Sequence, residues 1–242
     1  MMHDVKAVLL VGGMGTRLRA VVPSAPKPLA KVGNRPFLEL LVRQLRNQGV
    51  RRLVMSTGYL ADQIEQKFQN GRDLDVQIEY SREPQPLGTA GAVKFAQVYL
   101  QQEMDFLVMN GDSFMEVDFG QLVRFHRAHN AMVSMAVRTV PDAQRYGTVR
   151  LDSDSRVTGF AEKAGVAAPG LVNAGIYVFR REVLDAIPEG PASLEKDIFP
   201  GLLKQGVYGL EQHGMFIDIG TPEDYARAQE IFDRLSAATL RK

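Results

Sequence analysis

The sequence predicts an α/β fold, a central sheet covered by helices on both faces, and three observations carry that expectation. Short apolar runs alternate with stretches of helical periodicity through residues 1–130. The first apolar run, ending at Val11, passes directly into a glycine-rich turn. From Ala131 onward the pattern changes and strand-like runs dominate.

In chain order, strands are predicted at the apolar runs Ala7 to Val11, Arg52 to Ser56, Val76 to Tyr80 and Phe106 to Asn110. Helices are predicted between them, beginning near Pro36, Leu60 and Thr89, with another after Asp118. The second half reads as strands at Met132 to Arg138, Gly147 to Leu151, Val157 to Ala161, Ala174 to Arg180 and Met215 to Ile219. One helix interrupts them, near Leu194 to Gln205. The last helix is well signalled: Thr221 can cap it, Pro222 suits its first position, and Asp224 completes a capping box. The segment Ala164 to Gly170, rich in Gly and Ala, is the best candidate for a flexible stretch.

Composition narrows the class. A chain of 242 residues, 45% hydrophobic and 24% charged, suits one large globular domain. Its net charge of +1, with basic residues dispersed and no interleaved aromatics, gives no reason to expect nucleic acid. It has no cysteine and no run of 18 apolar residues, and its start leads into a strand without a signal-peptide core. The expectation is a cytoplasmic protein without disulfides or membrane anchor.

The strongest chemical signal is Gly12-Gly13-Met14-Gly15-Thr16-Arg17-Leu18 followed by Pro26-Lys27-Pro28. Glycines let backbone N–H groups approach an anion, Arg17 supplies a planar fork and Lys27 a compact charge. Together they suggest a polyphosphate site. A dinucleotide fingerprint would need a third glycine where Leu18 stands, and a P-loop would end in Gly-Lys-Ser/Thr. Neither motif is present.

Further signals follow along the chain. Asn110-Gly111-Asp112 ends an apolar strand, where open α/β sheets place ligands, or Asp112 caps a turn there. Asp218 falls inside the apolar run Phe216 to Ile219, and an ionised carboxylate there needs a partner. Two aspartates beside phosphates match the oxygen ligands of magnesium, although Asp218 could instead pair with an arginine or cap the following turn. The loop Glu83-Pro84-Gln85-Pro86-Leu87-Gly88-Thr89-Ala90-Gly91 reads as a helix start that favours an anion. Tyr146-Gly147, Glu162-Lys163 and Asn173-Ala174-Gly175 are polar interruptions that individually read as turns. His126 and His129 share a spacing that could chelate zinc, but without further ligands they read as a solvated helix end. Met55, Met109 and Met135 lie in apolar strands and read as core.

Taken together, these motifs resemble the sugar-1-phosphate nucleotidyltransferases over nearly the whole chain. The resemblance implies a Rossmann-like nucleotidyltransferase fold with a mixed, mostly parallel sheet, forming a single domain over 1–242. Residues 1–130 would be its nucleotide half and 131–242 its sugar half. It implies nucleotide binding by Val11, Gly12, Gly13, Gly15, Thr16, Arg17, Lys27, Gln85, Pro86, Gly88, Thr89 and Asp112. Sugar binding would fall to Gly147, Glu162, Lys163 and Asn173, and Mg2+ to Asp112 and Asp218. Arg17, Lys27 and Lys163 would be the catalytic cations. Partners would be GTP or another NTP and a sugar 1-phosphate, with no nucleic acid or membrane partner, and a homo-oligomer is allowed.

Within the family, five segments look most like the D-glycero-α-D-manno-heptose 1-phosphate guanylyltransferases. They are Arg19 to Pro23, Arg35 to Glu39, Ser56 to Tyr59, Arg145 to Val149 and Ser193 to Asp197 ahead of Phe199-Pro200. That likeness implies GDP-heptose synthesis for a bacterial surface glycan such as a capsule. A uridylyltransferase for N-acetylmuramic acid 1-phosphate shares the length and most motifs. A mannose-1-phosphate guanylyltransferase shares the motifs, although such members commonly carry a C-terminal β-helix for which 242 residues leave no room. A non-catalytic subunit of the same fold would be expected to lose the charged site residues, which are all present.

Overall fold

A computed structural model describes residues 2–18, 21–22, 25–161 and 168–240. Of the residues singled out above, Glu162 and Lys163 lie outside the described ones, as do Arg19, Ala20, Pro23 and most of the 164–170 stretch.

Residues 1–130 contain β1 (Lys6–Leu10), the short pair β2 (Lys31–Val32) and β3 (Arg35–Pro36), α1 (Phe37–Asn47), β4 (Arg52–Thr57), α2 (Ala61–Phe68) and β5 (Gln77–Arg82). They continue with α3 (Gly88–Phe95), β6 (Asp105–Asn110), β7 (Ser113–Met115) and α4 (Phe119–Ala128). The second half contains β8 (Val133–Val140), β9 (Thr148–Leu151), β10 (Val157–Ala161), β11 (Gly170–Arg180), α5 (Phe199–Gly206), β12 (Val207–Glu211), β13 (Phe216–Asp218), α6 (Pro222–Glu230) and α7 (Phe232–Leu240).

One sheet of nine strands runs through both halves in the order β10-β9-β11-β6-β1-β4-β5, with β8 also on β11 and β12 on β8. From β6 to β5 the pairings are parallel; around β11 they are antiparallel. Strands buried on both faces explain the apolar runs. Ala7 and Leu9 enter one core, built largely on α1, α4 and β7, whereas Val8 enters the other, built on α3 and α5. The same alternation separates Leu107 and Met109 from Phe106 and Val108.

In register, Leu10 stands beside Asn110, so β1 and β6 release their following residues at the same sheet edge. This parallel junction positions the site. The small pair β7–β13 crosses that edge and sets Asp218 opposite Ser113. Thr221 caps α6 as expected: its hydroxyl oxygen accepts from Asp224 N at 3.2 Å and donates to Asp224 Oδ2 at 2.9 Å.

Several expectations need correction. The helix placed at Leu194 begins as a π turn over Leu194–Ile198, with α5 starting only at Phe199. The strand β12 was not anticipated, since Val-Tyr-Gly-Leu-Glu is short and carries a glycine. His126 is not a solvated helix end. It is 1% exposed, with Nδ1 3.0 Å from the Ser134 hydroxyl and Nε2 3.5 Å from Asp105.

Candidate active site

The turn after β1 lies over a cleft of about 390 Å³ at the carboxyl ends of β1 and β6. Among the described residues, no hydrogen bond engages the backbone N–H groups of Gly13 to Arg17. Gly15 adopts φ +57°, and a Cβ there would come 2.8 Å from Lys27 Cβ. A left-handed residue without a side chain is what lets the Lys27 stem pack under the turn. The guanidinium of Arg17 is exposed at its far end, and Lys27 closes the cleft from below.

Lys27 is the charge centre. Its side chain is 10% exposed, and Nζ donates to Asp112 Oδ2 at 2.6 Å while standing 3.8 Å from Asp218 Oδ1. Asp112 follows β6 by two residues and Asp218 ends β13. Burial, then repulsion from Asp112, pushes the Asp218 carboxyl up to about 6, against the pull of Lys27. Asp218 also accepts a short hydrogen bond from Gly220 N. Among the described residues no group of three or more His, Cys, Asp or Glu side chains could hold a metal by itself. Two carboxylates under mutual strain, with a single ammonium between them, nevertheless fit a divalent cation that completes its shell with substrate phosphates.

The cleft brings together Val11, Gly12, Gly13, Gly15, Thr16, Arg17, Lys27, Pro86, Gly88, Thr89 and Asp112. Gln85 is exposed and does not line it; neither do Gly147 or Asn173. Asn173 has both amide ends engaged: Oδ1 accepts from Gly175 N at 3.0 Å and Nδ2 donates to the Tyr177 hydroxyl at 2.7 Å. Tyr177 is fully buried, and burial together with Glu195 drives its hydroxyl well above the usual range, so it stays neutral. It donates to Glu195 at 3.1 Å, and Glu195 also accepts from Thr89 at 3.1 Å and Ser193 at 3.0 Å. This chain of hydrogen bonds links β11 to α3 across the two halves of the chain.

At the start of α3, two of the helix-end donors already have a backbone partner. Ala90 N and Gly91 N both donate to the Ala192 carbonyl, at 2.9 and 3.3 Å. Gly88, at φ +69°, would place a Cβ 2.5 Å from that same oxygen. Its glycine therefore admits a neighbouring backbone to the helix end.

Three polar residues that sequence reasoning did not assign to the site stand in it or beside it. Glu83 lines the cleft, its carboxylate accepting from Leu87 N at 3.0 Å and from the Ser56 hydroxyl at 3.2 Å. Burial raises its carboxyl above the ordinary value, and those two donors oppose the rise. Asn110 also lines the cleft, and its Oδ1 is buried without a hydrogen-bond partner among the described residues. Glu195 is the hub of the network just described. Of the three, only Glu83 had a usable signal, a carboxylate opening the proline-stiffened loop. The partners of Glu195 lie about a hundred residues away in sequence, at Thr89, or across a strand, at Tyr177.

Comparison with known proteins places this geometry. Residues 6–234 match the family described as nucleotidyl transferase. The mannose-1-phosphate guanylyltransferase of Mycobacterium tuberculosis is 39% identical over 229 residues, 93% of this chain and 64% of that protein. The mannose-1-phosphate guanylyltransferase catalytic subunit beta of Drosophila melanogaster is 36% identical, over 92% of this chain and 61% of that protein. The chain thus spans less than two thirds of the length of these relatives. Among solved structures, HddC from Yersinia pseudotuberculosis complexed with GMP-PN aligns with a TM-score of 0.83 and 33% identity, covering 94% of this chain and 99% of that one. A putative glucose-1-phosphate thymidylyltransferase from Bacillus anthracis aligns with a TM-score of 0.84 at 22% identity, over 98% and 96%, a likeness of fold.

Proposed function

This chain belongs to the nucleotidyl transferase family, and from that premise we propose that it transfers GMP from GTP to a sugar 1-phosphate, releasing pyrophosphate. The observation that carries the reading is the convergence of turn N–H groups unpaired among the described residues, Arg17, Lys27 and two aspartates at one sheet edge. Polyanion alignment is what such a reaction needs most.

The acceptor requires no protein nucleophile. A phosphate monoester with a second pKa of about 6 is mostly dianionic at neutral pH, and its oxygen can attack the nucleotide α-phosphate directly. The protein's task is in-line placement and charge neutralisation. The N–H groups of Gly13 to Arg17 would cradle the triphosphate, with Arg17 and Lys27 balancing its charge. Lys163 would meet the sugar phosphate. When bound by Asp112 and Asp218, a divalent cation such as Mg2+ would neutralise phosphate oxygens during transfer.

Guanine is supported by Glu83 and by the names of the relatives. Guanine presents two neighbouring donors, N1–H and the 2-amino group, whereas uracil presents one N–H between two carbonyls. A carboxylate in the cleft, acceptor-only, matches the first pattern. The acceptor is a manno-configured sugar 1-phosphate. D-glycero-α-D-manno-heptose 1-phosphate is supported by the sequence segments named above, and mannose 1-phosphate by relatives matched through more than nine tenths of this chain.

The test is pyrophosphate release with magnesium for GTP, UTP, CTP, dTTP and ATP, each against heptose, mannose, glucose and N-acetylmuramic acid 1-phosphates. An optimum at GTP with heptose or mannose 1-phosphate supports the proposal. An optimum at another base overturns the guanine assignment, and silence across the grid overturns the enzyme.

A further inference from the structure

The loop between β8 and β9 is anchored on the junction that carries Asp218. Arg145 Nη2 donates to Asp224 Oδ1 at 2.7 Å, and its Nη1 donates to the Thr221 hydroxyl at 3.2 Å. Both acceptors belong to the first turn of α6, which begins four residues after Asp218. Asp224 is 11% exposed, and its other oxygen is held by Thr221, so the acceptor pair is fixed independently of Arg145.

A second anchor lies beside the first. The Tyr146 ring packs 5.8 Å from that of Phe216, which opens β13. Within the loop, Tyr146 N donates to Ala143 O and Ala143 N to Ala168 O, each at 2.9 Å. The turn is therefore tied at one end to the segment entering β11 and at the other to the β13–α6 junction. The next residue is Gly147.

An exposed ion pair by itself adds little stability, and the Arg145 side chain is 50% exposed. A planar fork on two fixed acceptors does something else: it sets a direction. We propose that Arg145 is a positioning residue for the sugar 1-phosphate, its clasp on Asp224 and Thr221 holding the Gly147 backbone in register with the strand end of Asp218. The inference rests on the sugar 1-phosphate transfer proposed above.

The test measures KM for the best sugar 1-phosphate, KM for GTP, kcat and the thermal midpoint in Arg145→Ala, Arg145→Lys, Asp224→Asn and the double variant Arg145→Ala/Asp224→Asn. Arg145→Ala is expected to raise the sugar phosphate KM at least about five-fold, with GTP KM and kcat within about two-fold of wild type. Its thermal midpoint should stay within about 2 °C. Arg145→Lys should recover only part of the loss, because an ammonium cannot reproduce the fork on both acceptors. The double variant should be no worse than Arg145→Ala. An unchanged sugar KM, an equal rise for both substrates, or additive losses would each overturn the clasp. Amide hydrogen exchange over residues 143–149, read without turnover, should speed up in Arg145→Ala. Unchanged exchange overturns the clasp, whereas a wild type silent with all substrates overturns only the reaction on which it rests.

Discussion

Replacing Asp218 with Asn should make the ligand-free protein more stable while removing most of its activity. Its carboxyl moves from 3.8 to about 6 through burial and the repulsion of Asp112. At 1.36 kcal/mol per pKa unit that shift amounts to roughly 3 kcal/mol of destabilisation by the ionised form. Because 29% of the side chain is exposed and the variant also loses the attraction of Lys27 at 3.8 Å, about 1–2 kcal/mol is the better expectation. In a chain of this size that corresponds to a rise in thermal midpoint of about 2–8 °C. The sign follows from linkage: the folded pKa lies above the unfolded one, so stability is lost as pH rises from about 4 to about 6 and stays lost above. The gap between variant and wild type should therefore be near zero below about pH 4, widen to about pH 6 and then level off. The assay is thermal unfolding with chelator and without nucleotide at several pH values. A variant no more stable than wild type at pH about 7.5, or a gap that does not shrink in acid, would refute the reasoning.

Other substitutions separate the remaining roles. Arg17→Ala should raise KM for GTP about ten-fold, more at low salt, and leave the thermal midpoint alone, because the side chain is exposed; an equal effect on the sugar phosphate would count against its place on the nucleotide. Glu83→Gln should cut kcat/KM for GTP about ten-fold or more and reduce its advantage over UTP, since a donor replaces half of an acceptor pair; an unchanged GTP to UTP ratio would dismiss base reading by this carboxylate. Gly88→Ala combines a left-handed backbone at φ +69° with a Cβ 2.5 Å from the Ala192 carbonyl, and should cost at least about 2 kcal/mol, read as a fall in thermal midpoint of about 4 °C or more.

The parts of this fold legible in the sequence are those whose residues answer to local rules. Lys6 to Leu10 reads as a strand because both its faces are buried, and Thr221-Pro222 reads as a helix start because the cap is built from neighbours in sequence. The glycine turn after β1 is legible for the same reason: its glycines and Arg17 are contiguous. What escaped depends on partners distant along the chain. His126 reads as solvated from its polar helix, yet α4 turns it toward Ser134 and Asp105 across the sheet. Glu195 stands out only as part of the segment Ser193 to Asp197, yet the π turn presents it to Thr89 and Tyr177. A three-residue strand such as β7 has no periodicity to detect.

The two glycine motifs facing the cleft divide the work in opposite ways. In the first turn, the glycines leave N–H groups bare, with Lys27 packed beneath them. At α3, glycines instead bring the Ala192 carbonyl onto the helix end, where it takes up the donors of Ala90 and Gly91. Two donors of that helix end are thus already answered by backbone, and their bonds join α3 to the loop that carries Glu195. The second glycine motif serves rigidity: it locks the wall against which Thr89, Glu195, Tyr177 and Asn173 keep the two halves of the site in fixed relation. In the transfer proposed above, which has to align two repelling phosphates, a rigid wall supplies orientation.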